Sequence, residues 1–402
     1  MRVVVLGAGV VGVTTAYYLS RLGCDVTVVD RASEPGDGAT FGNAGQLSYS
    51  FTDALAKPTF IAHLPGMVLG RDRGSKVRLS PALMSWGLRF LGQCTASQAR
   101  DNTLAVLELA MRSAELMDKL QESLPFEFAH RAAGKLVLLS STDEVEAAKA
   151  SSAMKQLHGC DARVVSRDEA VSIEPAIADM NDEVIGAVYS ASDEVADSHL
   201  FAKGLKDWLV AQGAAEFRLS SEARSLLTHG DRTRGVVVDE GEIEADAVVV
   251  CLGAWSQAFL GKAGINPHIE PVRGYSITLP PGPSAPDVSV TALKYKMVYS
   301  RLNGATRIAG FADFTGFDTR ADEERIRLLS QVASRFAPLA ADYSTADIRG
   351  WGGFRPMTPN GRPLVGATKV PGLFVNVGHG MLGWTLACAT AYDAAQAVAN
   401  LR

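Results

Sequence analysis

Residues 2–12 read Arg2-Val3-Val4-Val5-Leu6-Gly7-Ala8-Gly9-Val10-Val11-Gly12. The apolar, mostly β-branched run Val3 to Leu6 predicts a short buried strand over Arg2 to Leu6. The turn Gly7 to Gly12 follows, then a helix over Val13 to Leu22 and a second strand over Asp25 to Asp30. This β-turn-α-β unit is the setting in which a G-x-G-x-x-G pattern carries weight. Gly7 permits the tight turn, Gly9 lets the backbone approach a pyrophosphate, and Gly12 allows close helix–strand packing. The helix N-terminus adds free N–H groups and a partial positive charge. Asp30 follows Gly9 by 21 residues, and a carboxylate there accepts from ribose hydroxyls while repelling a 2′-phosphate. The motif therefore selects the ADP-ribose of FAD or NAD over NADP. The competing reading is a glycine-rich turn with no ligand.

The chain has 402 residues, enough for two or three domains at roughly 150 residues each. Hydrophobic residues make up 47% and charged residues 21%, which argues against intrinsic disorder. A net charge of -5, with no dense basic run, argues against a nucleic-acid partner. Five cysteines without a C-x-x-C pair fit a reduced compartment and give no expectation of a metal or disulfide framework. The opening apolar stretch is interrupted by Gly7, Gly9 and Gly12 and followed by no A-x-A site, so a secretory signal is not expected. No apolar run reaches 18 residues, so no spanning helix is expected either. The expected location is the cytoplasm, any membrane contact being peripheral, on the inner face of the cell membrane.

Further along, Leu104, Leu107, Met111, Ala114, Met117, Leu120 and Leu124 mark an amphipathic helix over Ala99 to Leu124. Strands are expected at Lys135 to Ser140, Ile185 to Tyr189, Glu216 to Leu219, Gly235 to Asp239 and Ala247 to Leu252, with a helix over Ser198 to Gln212. Pro280 to Pro286 reads as a loop, and Lys294 to Arg301 and Thr306 to Phe311 as strands about an Asn303-Gly304 turn. Helices over Asp322 to Phe336 and Met381 to Leu401 complete a mixed α/β pattern. There is no internal repeat.

Two further stretches sit as a bound nucleotide would need them, and a third lies near the C-terminus. Ala39 to Gln46 is a small-residue loop just after Asp30. Ala247 to Leu252 runs into Gly253-Ala254-Trp255. Gly352-Gly353-Phe354-Arg355-Pro356-Met357-Thr358-Pro359 precedes Asn376-Val377-Gly378-His379-Gly380-Met381-Leu382-Gly383-Trp384. Together with Arg273-Gly274-Tyr275-Ser276, and in this order, these motifs resemble the D-amino-acid oxidase superfamily of FAD enzymes nearly end to end, most of all its bacterial D-amino-acid dehydrogenase branch. The match departs at Arg273, where that branch has Lys, and is poor over residues 47–100.

The resemblance implies a Rossmann-like FAD-binding domain (1–50, 160–255, 345–402) and an α+β substrate domain on an antiparallel sheet (51–159, 256–344). It implies FAD contacts from Gly7, Gly9, Val10, Val11, Gly12, Asp30, Arg31, Asn43, Ala44, Gly45 and Gln46. Ala223, Gly253, Gly353, Gly378, Gly380, Met381, Leu382 and Gly383 would complete the set, with the final helix aimed at the flavin pyrimidine. Arg355 matches the arginine that binds the substrate carboxylate, a task suited to a guanidinium fork. Tyr275 and Tyr299 are candidate pocket walls, each with an equal claim to be a half-buried aromatic on a sheet. His379 invites a general-base role, though a His between glycines more often serves packing. No cysteine lies in Trp351 to Arg355, so FAD is expected to be non-covalent and Cys388 to be core. The implied activity is oxidative deamination of a D-amino acid to its 2-oxo acid through the imine, with electrons passed to a quinone-type acceptor. The alternatives are a D-proline or cis-4-hydroxy-D-proline dehydrogenase giving a cyclic imine, and a flavin-binding protein without turnover.

Overall fold

The structure is a computed structural model that describes every residue except 182, 183, 321, 346, 347 and 402. Arg2–Leu6 lies between two parallel neighbours, Asp25–Val29 and Ala247–Val250. Glu216–Arg218 extends the sheet on one side, and Leu373–Val377 with its antiparallel partner Leu364–Ala367 on the other. The runs Val3 to Leu6 and Ala247 to Val250 are buried throughout, as strands covered on both faces must be. Helices Val10–Arg21, Ser198–Ala211 and Gly383–Ala399 pack on one face. The antiparallel meander of Ala223–His229, Arg232–Val238 and Gly241–Glu244 packs on the other. Helix Ser198–Ala211 starts where Asp197 accepts from the N–H groups of His199 and Leu200, satisfying donors that a helix end leaves open.

The second sheet has eight strands in the order Arg349–Met357, Glu270–Leu279, Ala305–Asp313, Met297–Leu302, Ser289–Ala292, Lys135–Leu139, Gly186–Ser190 and Arg163–Ser166. All pairs are antiparallel except Ser289–Ala292 with Lys135–Leu139. Alternation gives this sheet two unlike faces. Tyr275, Ile277, Tyr299 and Ile308 point toward helix Asp322–Phe336 and form an apolar core with its Leu329, Ala333 and Phe336. The opposite face carries Lys135, Ser276, Ser289, Arg307 and Arg355. That helix has Asp322, Glu323 and Glu324 in its first turn and Arg335 in its last, signs that suit the macrodipole.

Both sheets agree with the mixed architecture expected, but several boundaries move. The strands Arg163–Ser166, Gly186–Ser190 and Arg349–Met357, assigned above to the cofactor side, belong to the eight-stranded sheet. The long helix spans Ala96–Gln121 and not 99–124, because Thr95 caps it by accepting from Gln98 N. The strand expected over 294–301 begins at Met297, after a 3-10 turn closed by Lys296 in the left-handed region at φ 52°. The last helix begins at Gly383, behind two left-handed glycines, Gly378 and Gly380. Helices Pro58–Val68 and Pro81–Gln93 occupy a region where no element was expected.

Candidate active site

The three glycines of the first turn do different work. Gly7 has φ 105°, and a Cβ there would lie 2.5 Å from the Cys251 carbonyl oxygen. A Cβ on Gly12 would collide with the carbonyl of Gly7. Both positions are closed to side chains by the protein's own backbone. Gly9 has φ -69° and ψ 173°, ordinary extended backbone, and its missing Cβ would meet only Thr40 Oγ1 at 3.4 Å. The space over Gly9 therefore lies open at the start of a helix that has no acidic residue in its first turn. A pyrophosphate suits that charge and that space. Val10 N donates to Thr40 Oγ1 at 3.0 Å, so the small-residue loop also holds the helix start.

Asp30 accepts from Ala8 N at 2.6 Å and Ala32 N at 2.8 Å, binding the glycine turn to the end of the second strand. Its carbonyl accepts from Ser221 N at 2.9 Å, which brings the start of the Ala223–His229 strand alongside. Arg31 is exposed and lays its guanidinium 4.2 Å from the Trp255 ring centroid, beside Gly253 at φ 54°. Gly7, Gly9, Val10, Val11, Gly12, Asp30, Arg31, Ala223 and Gly253 thus converge on one end of the parallel sheet.

Residues 41–48 cross the polar face of the eight-stranded sheet strand by strand. The Trp351 ring fills the space beside Gly42. Arg307 Nη1 donates to the carbonyls of Phe41 and Asn43 at 3.3 and 3.4 Å. Leu302 packs on Gly45, Gln46 donates to Ser289 Oγ, and Lys135 donates to Ser48 Oγ at 2.8 Å. The Asn43 side chain accepts from Gly45 N at 2.8 Å within the loop and donates to Ser198 Oγ at 2.6 Å at the start of helix Ser198–Ala211. Arg307 and Lys135 were not read from the sequence. Their only signal is a basic residue at the alternating position of an otherwise apolar strand.

Arg355 stands on the same face. Its guanidinium covers Gly274, and Nη1 donates to the Phe311 carbonyl at 2.7 Å. Gly353, paired with Gly274, lies under Trp351. Two facing glycines therefore provide the floor on which Trp351 and Arg355 lie flat. Burial lowers the Arg355 pKa, opposed by Asp313 and Tyr275. Phe311, which supplies the anchoring carbonyl, is itself held at φ 63°. Arg273 is on the opposite side, ion-paired with Asp322 and 4.2 Å from the Phe354 ring.

Neither tyrosine hydroxyl is bonded to Arg355. Tyr299 is fully buried and donates to the Ala333 carbonyl at 3.2 Å. Tyr275 donates to Asp313 Oδ2 at 3.0 Å, and Asp313 is ion-paired with Arg325 of the packed helix at 2.8 Å. Both belong to the sheet–helix core, so they are set aside as pocket walls. His379 is buried, with Nε2 3.0 Å from Thr390 Oγ1, and burial lowers its pKa to about 4. Burial against the final helix therefore favours the neutral ring.

The segment 378–383 runs against 356–358. Gly380 N donates to the Pro356 carbonyl at 3.0 Å, and a Cβ on Gly378 would lie 2.6 Å from the Thr358 methyl carbon. The start of the final helix, which no side chain caps, is thereby fixed next to the strand that carries Gly353 and Arg355. Met381 is exposed and Leu382 precedes the first helical turn at Gly383. Cys388 is core, and none of the five cysteines is disulfide-bonded.

A family model described as FAD dependent oxidoreductase matches residues 2–397. The chain is 40% identical over 404 residues to D-amino acid dehydrogenase 2 of Ralstonia nicotianae, covering 97% of this chain and 95% of that protein. It is 33% identical over 402 residues to D-amino acid dehydrogenase of Vibrio vulnificus, covering 99% and 96%. Among solved structures it resembles L-proline dehydrogenase from P. horikoshii (TM-score 0.76, 22% identity, 100% of this chain and 94% of that one). It also resembles glycine oxidase from Geobacillus kaustophilus (TM-score 0.74, 21% identity, 99% and 95%). These two likenesses speak to the fold alone.

Proposed function

Since the chain belongs to the family of FAD-dependent oxidoreductases, we propose that it is a D-amino-acid dehydrogenase whose substrate carboxylate is held by Arg355. The observation that carries this reading is the guanidinium on Gly274, fixed at one edge by the Phe311 carbonyl. An arginine so fixed keeps other N–H donors for a planar anion, the geometry in which arginine exceeds lysine. The names of the relatives favour the D-series substrate.

FAD, held non-covalently, supplies the two-electron acceptor; the glycine turn, Asp30 and the 41–48 loop are the residues that would hold it. Arg355 orients the substrate so that Cα–H faces that acceptor. The Cα–H bond breaks with its electron pair, the amine loses a proton, and the imine takes up water to release ammonia and a 2-oxo acid. No acid or base from the chain needs to enter the bond-breaking step once the amine is neutral, and the work of the site is orientation and desolvation.

The electron acceptor in this reading is a quinone met at a membrane surface. Ile61, Val68, Leu69, Leu79, Met84 and Leu88 are all exposed on or beside helices Pro58–Val68 and Pro81–Gln93. Exposed Lys57, Arg71, Arg73 and Arg89 surround them, a composition that suits an anionic lipid surface. No helix among the described residues is long and apolar enough to cross a membrane.

The test is anaerobic mixing with D- and L-amino acids while watching the flavin band. Bleaching by D- but not L-enantiomers supports the proposal, and ammonia release separates linear substrates from D-proline or cis-4-hydroxy-D-proline. A flavin band that no amino acid bleaches would mean binding without turnover. Reoxidation by a soluble quinone, and co-sedimentation with anionic but not neutral vesicles, test the acceptor.

A further inference from the structure

Two lysines are buried beneath the 46–53 segment, and they differ in one respect. Lys155 is ion-paired with Asp53 and donates to the Ser50 carbonyl at 2.9 Å. Lys135 is 3% exposed and donates to two neutral acceptors, Gln46 Oε1 at 3.1 Å and Ser48 Oγ at 2.8 Å. Its ammonium also lies 4.1 Å from the centroid of the Phe51 ring. Among the described residues no carboxylate forms an ion pair with it.

A buried ammonium without a counter-ion is costly, and an unbranched apolar side chain would fill the same volume without that cost. Burial lowers the Lys135 pKa to about 8, and of the charged groups that act on it Asp193 and Asp53 favour the ammonium while Lys155 opposes it. Asp193 is occupied in accepting from both N and Oγ of Ser50 at 2.9 Å, and burial raises its pKa to about 6. Asp53 is taken by Lys155. Neither carboxylate is in ion-pair contact with Lys135; Asp193 favours its charge from a distance.

Both acceptors of Lys135 belong to the loop that bridges the two sheets. Ser48 N donates to Thr385 Oγ1 at 2.9 Å, on the first turn of the final helix. The ammonium is thus joined, through one residue, to the uncapped helix start. Two positive features, one from a side chain and one from a helix dipole, reach the same stretch of chain from opposite sides.

We propose that Lys135 is a positioning residue that holds Gln46 and Ser48 in the cofactor loop and whose charge favours bound FAD in its reduced, anionic state. This rests on the reading that residues 43–46 lie against FAD. The ammonium supplies by charge what the site would otherwise have to obtain from a counter-ion, and the cofactor gains that counter-charge only on reduction.

The experiment measures FAD content, the two-electron midpoint potential and the sulfite affinity of the holoprotein, none of which requires turnover. Lys135→Met is expected to retain FAD, to bind sulfite at least tenfold more weakly and to shift the reduced-to-oxidised ratio tenfold or more toward oxidised. That shift is about 30 mV more negative per factor of ten for a two-electron couple. Lys135→Gln keeps an amide donor for the loop without the charge, and it should show the same shift; it also serves where the methionine variant fails to fold. Midpoint and sulfite affinity equal to the parent's in a FAD-replete variant would overturn the role of the charge. A parent protein that purifies without FAD would instead overturn the cofactor reading beneath it.

Discussion

The glycine turn and the polar face of the eight-stranded sheet both converge on the 41–48 loop, but they are built on different terms. In the turn, the backbone does the work. Carbonyl oxygens exclude side chains at Gly7 and Gly12, Asp30 holds two N–H groups, and the space over Gly9 is open but for the Thr40 hydroxyl at its edge. On the sheet, strands far apart in sequence each contribute one side chain: Trp351, Arg307, Leu302, Ser289 and Lys135 meet the loop, and Arg355 lies beyond Trp351. A backbone cradle tolerates few substitutions and has one purpose. A face made of projecting side chains can change its chemistry one residue at a time while its strands stay in place.

The largest effect expected from that contrast is at Gly12. Gly12→Val places carbon onto the Gly7 carbonyl and should leave no folded, flavin-containing protein. Gly9→Val should fold as an apoprotein with a cooperative thermal transition and lose FAD, because nothing in the chain fills its space. Equal behaviour of the two variants would remove the distinction between a steric and a ligand-binding glycine.

On the sheet side, Arg355→Met should lower kcat/KM by about two to four orders of magnitude if its guanidinium pairs with the substrate carboxylate as proposed. FAD content should hold, and Arg355→Lys should recover part of the loss. Near-normal turnover by the methionine variant would move the anion site elsewhere. Asp30→Ala should weaken FAD by about ten- to a hundredfold, roughly 1.5–3 kcal/mol for bonds to a charged group, with substrate preference unaltered. Equilibrium dialysis and a substrate panel check the two halves of that expectation.

His379 tests whether its ring belongs to packing or to chemistry. Its pKa of about 4 lies below the usual 6.5, so the neutral form is favoured by folding. The stability it contributes is present above pH 6.5 and is lost as pH falls through about 4. By pH 5 that loss is about 2 kcal/mol. Urea midpoints measured from pH 7 to 5 should fall less steeply for His379→Gln, whose turnover at pH 8 should stay within a few-fold of the parent. The smallest effect is at Tyr299, where Tyr299→Phe removes the hydroxyl's bond to the Ala333 carbonyl and its contact with the Tyr343 hydroxyl, about 1–2 kcal/mol, and leaves kcat/KM unchanged. A kinetic defect there would return the residue to the pocket wall.

The turn was legible because its determinants are contiguous: a β-branched run, three glycines and an acid at fixed spacing lie within residues 2–30. The resemblance extended that reading to Gly253, Arg355 and the 378–383 segment. The two readings of Tyr275 and Tyr299 stay open in the sequence for a physical reason. A strand shows both of its faces to the reader at once, and which face meets the cofactor depends on where helix Asp322–Phe336 packs, some fifty residues from Tyr275. Arg307 and Lys135 were missed for the same reason, since their partners are loop carbonyls and amides that no local pattern reveals. Helices 58–68 and 81–93 escaped because so much of their apolar surface is exposed, which blurs the one-sided periodicity that marks a buried helix.

Arg355 and Phe354 are neighbours in sequence and point to opposite sides of the sheet, one over Gly274 and the other against Trp255. A strand has a period of two, so inserting one residue upstream in Arg349–Met357 would turn Arg355 to the other face and put a benzyl ring where the guanidinium belongs, and deleting one would bring Pro356 there. The history open to this strand is therefore lopsided. Substitutions can retune it gradually, whereas changes in its length must be absorbed in the flanking loops or come two residues at a time.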